Sequence, residues 1–438
     1  MRIALFVPWF GSPSATFVVR HVAGLTDAGH EVRIFTRGID ADHAVHDAVA
    51  RCGMLDFVTV VPVGPAMAHH RIRAVFACLL KLFCRSPRLA VAAINPFRHG
   101  LRDFDFSILF DTSFASYGRF DAVLCHFADA GRHAAAMRRV GALQGPIATI
   151  FHGVDVNDLA RQPHAPGRRI LLSEGDLFLP VSNYFAGILR GLGCDWRRIL
   201  VHRMGVCTGQ FRFTPRRLEP GGTARLVSVS RLVEKKGLVY AIEAVAMLRD
   251  RGTVLDYRII GDGPLRDDLQ RRIDELGVAD CVHIEGWLPH RQVEQVLAAA
   301  HVFVSPSVTA GDGNTEGVPV ALMEAMAVGL PVLATEHAGV PELVHDPTTG
   351  RCVPERNAEA LAAGLSDLLA RADDFEAMGR AGREVVLKQF NADTLGAELE
   401  RLLFELAGIL PSVEARPEAD VVPVGQAARE HGVTVVRT

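Results

Sequence analysis

Residues 310–331 read AGDGNTEGVPVALMEAMAVGLP, a glycine-rich turn that runs into a short apolar helix. Glycines let the backbone take positive φ angles and approach a ligand closely. The first N–H groups of a helix have no partner within it, and the macrodipole adds positive charge there. We expect Pro319 in the first helical turn and the end of the helix at Gly329. The stretch therefore predicts a site for an anion.

Two carboxylates belong to this stretch, Glu316 at the mouth of the helix and Glu324 further along it. A carboxylate beside a phosphate would repel it, but it accepts hydrogen bonds from sugar hydroxyls. That combination suits a nucleotide sugar. The alternative is that Glu316 caps the helix and Glu324 is a solvated surface residue. The N–H groups expected to lack helical partners are those of Glu316, Gly317, Val318 and Val320.

Length and composition predict a globular protein of two to three domains, because the chain has 438 residues and is 49% hydrophobic. Its eight cysteines show neither metal-ligand spacing nor a disulfide framework. The start, MRIALFVPWFGSPS, favours a strand over a signal peptide. No uncharged run reaches the roughly 18–20 residues needed to span a bilayer. We expect a cytoplasmic protein.

Charge is uneven along the chain: residues 1–220 carry 26 Lys and Arg against 17 Asp and Glu, and the remainder carries 21 against 33. A basic first half indicates an anionic partner. Residues 69–102 contain seven cations and no acid, interleaved with apolar runs. This pattern predicts a basic, apolar helix pair at a membrane surface. Ordinary helices packed on a sheet, with arginines reaching to solvent, are the alternative.

Strand-like runs, among them AVLCH at 122–126 and VFVS at 302–305, alternate with helix-like runs in both halves, which predicts two doubly wound parallel sheets. Ligands bind beyond the carboxyl ends of such strands. The small-residue loop Gly11-Ser12-Pro13-Ser14 follows the first strand, and His152 follows a later one. A lone histidine is more often structural than catalytic. A Pro/Gly-rich polar segment at 214–222 indicates the domain boundary.

The turn SRLVEKKGL, residues 230–238, places Arg231 and Lys236 between a strand and a helix. Two cations there can neutralise a diphosphate and stabilise the charge of a departing nucleoside diphosphate. A solvated loop is the alternative. The nearby sequence Gly261-Asp262-Gly263-Pro264 lacks the third glycine of G-x-G-x-x-G, and there is no Walker A sequence. A nicotinamide dehydrogenase is therefore disfavoured.

Taken in order, several motifs resemble those of family 4 retaining glycosyltransferases of the GT-B fold. They are SVSRLVEKKGL, IIGDGPLRDDL, HIEGWLPH, VFVSPS, GNTEGVPVALMEAMAVGLPV and AGVPELV. The first half, with FGSPSATFV, FHGVDV and MGV, resembles the subgroup that builds bacterial exopolysaccharides such as colanic acid and amylovoran. It departs from that subgroup at Ala15, where glutamate is common, and at Cys207-Thr208, where aspartate is usual.

The resemblance implies two Rossmann-like doubly wound domains that face each other across a cleft, the first for the acceptor and the second for the nucleotide sugar. The implied domain limits are 1–205 and 223–390, with a hinge at 206–222, a helix at 391–410 that crosses back to the first domain, and a disordered tail at 411–438. The implied site residues are Arg231, Lys236, Gly317 and Val318 for the diphosphate; Glu316, Asn314 and Thr315 for the hexose; Glu324 for the ribose; Trp287 and Leu288 for the base; His152 and Glu316 for catalysis; and Gly11, Ser12 and Ser14 for the acceptor loop.

The implied activity is retaining transfer of a hexose, without metal or cofactor, from a UDP- or GDP-hexose to a glycan acceptor. The acceptor is expected to be linked to polyprenyl diphosphate in exopolysaccharide or cell-surface polysaccharide biosynthesis. Residues 69–102 would then hold the protein at the inner face of the plasma membrane, and no nucleic acid partner is expected. The alternatives are a non-catalytic sugar-nucleotide-binding or scaffold protein and another GT-B enzyme such as a nucleotide-sugar epimerase.

Overall fold

The computed structural model describes residues 1–11, 16–39, 53–61, 68–95, 107–114, 117–162 and 167–410. The chain forms two compact units whose boundaries do not follow chain order. Unit 1 comprises Met1–Val181, Phe185–His202 and the chain from Gly396 onward, and unit 2 comprises Ser182–Tyr184 and Arg203–Leu395.

Unit 1 is built on a parallel sheet of six strands in the order β3-β2-β1-β5-β7-β8, and two short strands, β4 and β6, pair separately. The strands are β1 (Arg2–Phe10), β2 (Glu31–Ile39), β3 (Val58–Val60), β4 (Gly118–Arg119), β5 (Ala122–His126), β6 (Leu143–Gln144), β7 (Ile147–Phe151) and β8 (Leu177–Pro180). Strands β5 and β7 are buried along their whole length, as expected for a parallel sheet with both faces covered.

Helices follow most strands of unit 1. They are α1 (Thr16–Asp27), α2 (Ala68–Arg85), α3 (Pro87–Ile94), α4 (Ser107–Phe114), α5 (Ala128–Val140), α6 (Val154–Arg161), α7 (Arg168–Glu174) and α8 (Asn183–Gly191). Helices α2 and α3 form the helix pair that the sequence predicts at 69–102, and the remainder of that range lies outside the described residues. None of the described helices is both long and apolar enough to cross a membrane.

Unit 2 repeats the plan with a parallel sheet in the order β11-β10-β9-β12-β13-β14. Its strands are β9 (Ala224–Val229), β10 (Leu255–Ile260), β11 (Val282–Gly286), β12 (Val302–Ser305), β13 (Val332–Thr335) and β14 (Gly350–Val353). The helices are α9 (Leu238–Asp250), α10 (Arg266–Glu275), α11 (His290–Ala299), α12 (Val320–Val328), α13 (Ala358–Ala370), α14 (Phe375–Gln389) and α15 (Ala392–Leu406), which continues into unit 1.

Both sheets have the strand order 3-2-1-4-5-6 when their six strands are numbered in chain order. This is the Rossmann order, in which ligands bind at the carboxyl edge where the order reverses. The reversal falls between β1 and β5 in unit 1, and between β9 and β12 in unit 2. The prediction of two doubly wound α/β halves is confirmed.

Helix α12 lies in the core of unit 2 and explains why the 310–331 stretch is so apolar. Its side chains from Leu322 to Val328 are buried except for Glu324, because the helix packs against the sheet and against α14. A helix that is apolar on nearly all sides belongs in the interior. Gly329 ends it at φ 92°, as predicted. Its first turn is thereby fixed at the carboxyl edge of β12.

Candidate active site

The loop between β12 and α12 begins the site in unit 2. The helix starts at Val320, and Pro319 precedes it with an extended backbone of φ −62° and ψ 127°. The prediction that Pro319 lies in the first helical turn is therefore wrong by one position, because this residue occupies the non-helical N-cap. No side chain caps the helix start. Glu316 thus lies in the loop and does not act as the cap.

Glu316 is held between two lysines. Its Oε1 lies 3.2 Å from Lys235 Nζ and its Oε2 lies 3.1 Å from Lys236 Nζ. All three side chains have little contact with solvent. Burial opposes ionisation of the carboxyl, but Lys236 and Lys235 outweigh it and hold its pKa at about 2. Glu316 is therefore ionised at neutral pH, and the cluster carries a net charge of +1.

Lys235 is a site residue that sequence reasoning missed. Its ammonium group lies 3.5 Å from Asn314 Oδ1 and 3.4 Å from the carbonyl oxygen of Thr315. One buried lysine therefore touches all three residues predicted to bind the hexose. The available signal was its place beside Lys236 in the KKG turn.

Gly237 explains how both lysines reach the site. It adopts φ 59°, and a Cβ atom there would lie 1.9 Å from the carbonyl oxygen of Pro306. The KKG turn therefore packs directly on the chain that leaves β12, and only glycine fits at this position.

Arg231 stands apart from this cluster. It is exposed, and its side chain makes no hydrogen bond or ion pair with any residue in the described part of the chain. Lys236, its predicted partner in binding diphosphate, instead contacts Glu316. The two cations follow β9 at the same sheet edge, but the structure brings only Lys236 to the carboxylate.

The backbone N–H groups of the turn divide into two kinds. That of Glu316 donates to His337 Nε2 at 3.0 Å. Those of Gly317 and Val318 have no acceptor among the residues that the structure describes. Of the four N–H groups that we expected to be unpaired, that of Glu316 is already used, and those of Gly317 and Val318 remain available to a ligand.

Glu324 lies on α12 next to the predicted base-binding loop. Its Oε1 is 3.8 Å from His290 Nε2, and His290 Nδ1 is 3.0 Å from Glu294 Oε1. The pKa of His290 is raised, mainly by the nearby carboxylate of Glu324. Trp287 is 74% exposed, whereas Leu288 packs against the core. The structure therefore places Glu324, the predicted ribose residue, beside His290. Sequence reasoning missed His290, which follows the predicted base residue Leu288 by two positions.

His152 belongs to a histidine cluster in unit 1. It follows β7, and its Nε2 lies 3.1 Å from Nδ1 of His126, the last residue of β5. His126 Nε2 in turn lies 3.4 Å from His21 Nδ1. Burial, followed by His21 and His202, lowers the pKa of His152 to about 3, so the imidazole is neutral at physiological pH. In the described part of the chain, no group of three or more His, Cys, Asp or Glu residues is placed to hold a metal ion.

Two neighbours fix the backbone and ring of His152. Asp155 Oδ1 accepts the N–H groups of His152 and Gly153. Phe127 takes a strained φ of 72° and places its ring centroid 4.5 Å from that of His152. Gly11 directly follows β1 with φ 84°, and Ser12 and Ser14 lie outside the described residues. Unit 1 therefore holds His152 rigidly at the carboxyl edge of its sheet.

The two Rossmann sheets define a fold class, and a solved structure agrees with it. HepE from Anabaena, crystallised in complex with UDP, matches with a TM-score of 0.67 at 15% identity, over 92% of this chain and 99% of its own. The protein has the GT-B fold of the nucleotide-sugar glycosyltransferases.

Sequence comparisons give the family. The family model described as Glycosyltransferase Family 4 matches residues 14–210, and the model described as Glycosyl transferases group 1 matches residues 211–385. WcaL of Salmonella typhimurium, a glycosyltransferase assigned to colanic acid biosynthesis, is 37% identical over 92% of this chain and 99% of its own. The amylovoran biosynthesis glycosyltransferase AmsK of Erwinia amylovora is 33% identical over 93% and 100%. The chain belongs to the family 4 glycosyltransferases, in the group that contains these two enzymes, and it is a hexosyltransferase.

Proposed function

We propose that the protein transfers a hexose, with retention of anomeric configuration, from UDP- or GDP-hexose to a glycan acceptor in exopolysaccharide or cell-surface polysaccharide biosynthesis. One observation carries the proposal. The ionised carboxylate of Glu316 lies between Lys235 and Lys236, next to the unpaired N–H groups of Gly317 and Val318. Such a cluster offers acceptors to sugar hydroxyls and donors to phosphate in one place.

The donor is assigned by chemistry along the loop. The N–H groups of Gly317 and Val318 bind the β-phosphate at the start of α12, with Arg231 and Lys236 supplying positive charge. Glu316, Asn314 and Thr315 bind the hexose. Glu324 accepts hydrogen bonds from the ribose hydroxyls, and Trp287 and Leu288 flank the base.

The transfer step needs no protein nucleophile in this proposal. The bond between the anomeric carbon and the phosphate oxygen breaks, and its electron pair goes to the nucleoside diphosphate. The acceptor hydroxyl attacks from the same face and passes its proton to that phosphate oxygen, so that one C–O bond replaces another. Lys236 and the N–H groups of Gly317 and Val318 stabilise the charge that develops on the leaving group. His152, neutral and fixed, binds the transferred hexose, and the acceptor binds to unit 1 beside Gly11.

A thermal-shift titration tests the donor site. UDP, GDP, ADP and NAD are added to the wild type, to Arg231→Ala and to a matched control, Arg251→Ala, an exposed arginine at the end of α9. A nucleotide at about 100 times its Kd stabilises the fold by roughly 2.7 kcal/mol. We expect UDP or GDP alone to raise the Tm of the wild type and of the control, with Arg231→Ala losing most of the shift.

Two results would contradict the donor assignment. If no nucleotide raises the Tm of the wild type, a binding site for nucleoside diphosphates is absent. A scaffold function is then the better interpretation. If NAD alone does so, the site serves a different chemistry. An equal shift in all three proteins supports nucleotide binding but removes Arg231 from the diphosphate site.

We further propose that α2 and α3 bind the protein to an anionic membrane surface. Phe76, Leu80 and Phe83 are 69%, 57% and 56% exposed, and their spacing puts them on one stripe of α2. Arg85 and Arg88 are exposed where α2 meets α3. An apolar stripe beside cations fits the headgroup boundary of an anionic bilayer. A polyprenyl-diphosphate-linked acceptor would be found there.

Sedimentation with vesicles tests the membrane proposal. We expect the wild type to sediment with vesicles of phosphatidylglycerol and much less with phosphatidylcholine alone. The triple change Phe76→Ser, Leu80→Ser and Phe83→Ser should weaken binding by about three orders of magnitude or more, because each of the three buried apolar side chains contributes roughly 1.5–3 kcal/mol. The control, Val254→Ser with Leu387→Ser, removes exposed apolar side chains from unit 2 and should bind normally. Equal recovery of the wild type in the supernatant with and without phosphatidylglycerol contradicts the proposal.

A further inference from the structure

The buried His337 and the partly buried Glu355 form a dyad behind the loop of Glu316, and the mechanism above does not use it. His337 follows β13, and its Nε2 accepts the N–H of Glu316 at 3.0 Å. Its Nδ1 lies 2.9 Å from Glu355 Oε2, and the His337 side chain is 1% exposed. Because Nε2 accepts, the proton of the neutral imidazole is on Nδ1, which donates to the carboxylate.

Glu355 is itself fixed at the far end of the dyad. Its Oε2 accepts the N–H of Thr309 at 2.6 Å, and its Oε1 accepts the Thr309 hydroxyl at 3.1 Å. Burial raises the pKa of Glu355, but the bonds from His337 and Thr309 outweigh burial and lower it. An ionised carboxylate accepts hydrogen bonds only, so Glu355 determines which nitrogen of His337 carries the proton.

The peptide that joins Thr315 to Glu316 is held at both ends. Its N–H donates to His337, and its carbonyl oxygen lies 3.4 Å from Lys235 Nζ. A peptide unit is planar, so bonds at its two ends fix its orientation. The carboxylate of the same Glu316 is bound by both lysines. Glu316 is therefore fixed at the backbone and at the tip of its side chain.

The next residues of the His337 segment shape the following turn. A Cβ atom on Gly339 would lie 2.7 Å from the carbonyl oxygen of Gly317. The absence of a side chain at Gly339 allows this carbonyl to lie against the segment. The N–H of Val318 belongs to the same peptide and points away from it.

We infer that His337 and Glu355 are positioning residues that present Glu316 and the N–H groups of Gly317 and Val318 to the donor hexose and its phosphate. The inference rests on the proposed donor site. Both nitrogens of His337 are occupied and its side chain is buried, so it acts through Glu316 and does not touch the ligand.

Two amide substitutions of His337 test whether this residue positions Glu316 or only fills space in the core. Glutamine extends its amide oxygen to the place of Nε2 and can accept the N–H of Glu316. Asparagine reaches only the place of Nδ1 and can bond Glu355 but not Glu316.

The full-length protein is titrated by calorimetry with UMP and UDP-glucose, and with GMP and GDP-mannose. Binding of the monophosphate shows whether the nucleotide site is intact. The Kd of the monophosphate divided by the Kd of the sugar nucleotide measures the contribution of the distal phosphate and hexose.

We expect His337→Asn to lower that ratio about tenfold, which is the loss of one directed hydrogen bond, and to leave the monophosphate Kd within about twofold. His337→Gln should keep the ratio within about threefold of the wild type. The matched control is His301→Asn, because His301 is a buried histidine directly before β12 whose Nδ1 accepts the backbone N–H of Arg225 at 3.1 Å. It should leave the ratio unchanged.

The outcomes distinguish this inference from the donor proposal. Equal ratios for His337→Asn and His337→Gln overturn the positioning role, because a merely structural histidine would not discriminate between the two amides. A lowered ratio in His301→Asn as well would assign the effect to general loosening of the sheet and would also overturn it. If the wild type binds none of the four nucleotides, the donor proposal fails before the dyad is tested.

Discussion

Glutamine in place of Glu316 is expected to lower kcat/KM for hexose transfer by about a hundredfold, because in the proposed donor site the carboxylate binds the sugar while two lysines hold it. The amide is neutral and has one acceptor oxygen, so it cannot engage Lys235 and Lys236 together. The measurement is release of nucleoside diphosphate from the donor with a membrane extract as acceptor. Glu384→Gln, an exposed change on α14, serves as the control and should keep full activity.

The same variant has a stability effect that depends on pH. The pKa of Glu316 is lowered from 4.5 to about 2, so the ionised carboxylate stabilises the folded state by about 3 kcal/mol above pH 4.5. That contribution is lost as the pH falls through about 2, where the folded state is protonated. Urea unfolding should therefore show a large difference in the free energy of unfolding between wild type and Glu316→Gln at pH 7. The difference should be much smaller near pH 2. A difference that does not change with pH would mean that the lysines do not stabilise the carboxylate.

Alanine at Gly261 is expected to destabilise the protein by about 4 kcal/mol or more, close to the upper end of single substitutions. Gly261 follows β10 at φ 137°, and a Cβ atom there would lie 1.8 Å from the carbonyl oxygen of Ser230. The obstacle is backbone, and the loops after β9 and β10 are tied by the bond from the Leu232 N–H to the Asp262 carbonyl. The Ser230 carbonyl therefore cannot move aside without breaking this edge of the sheet.

Thermal and urea unfolding measure the effect, with Gly252→Ala as the matched control. Gly252 has φ 87° but no atom within 4 Å of the added Cβ, so its replacement should cost only the roughly 1–2 kcal/mol of the left-handed backbone. If the two alanine variants unfold alike, the close approach of the Gly261 backbone to Ser230 is not a constraint on the fold.

The strands could be read from the sequence where burial is continuous and were missed where it is not. β5 and β12 were predicted residue for residue, because uninterrupted apolar runs leave little choice of limits. β14 was not predicted, because it is short, contains an arginine and begins with Gly350. A Cβ atom at Gly350 would lie 2.0 Å from the Val332 carbonyl oxygen, so this glycine allows β14 to approach β13. The limits of such a strand are set by its pairing with the neighbouring strand and cannot be recognised from its own sequence pattern.

The candidate site likewise contains residues that could be predicted from the sequence and residues that could not. Glu316 and Lys236 were predicted from local chemistry, and the structure brings them together. His337 and Glu355 could not be predicted, because their relation to Glu316 depends on where β13 and β14 end and leaves no local signal. Lys235 was missed for another reason: in a run of two lysines, the sequence does not show which of them faces the interior.

Helix α15 has a consequence for the synthesis of the protein. From Gly396 onward it belongs to unit 1, where Leu399 and Leu403 are buried and Glu400 bonds His30 at 2.9 Å. Because Arg203–Leu395 is translated first, the ribosome adds roughly 200 residues, about 10–40 s of elongation, before unit 1 receives its last helix. During that time the apolar positions that α15 covers are open to chaperones, and the nascent N-terminal half cannot reach its final fold. A single cut in the chain also cannot yield two complete units.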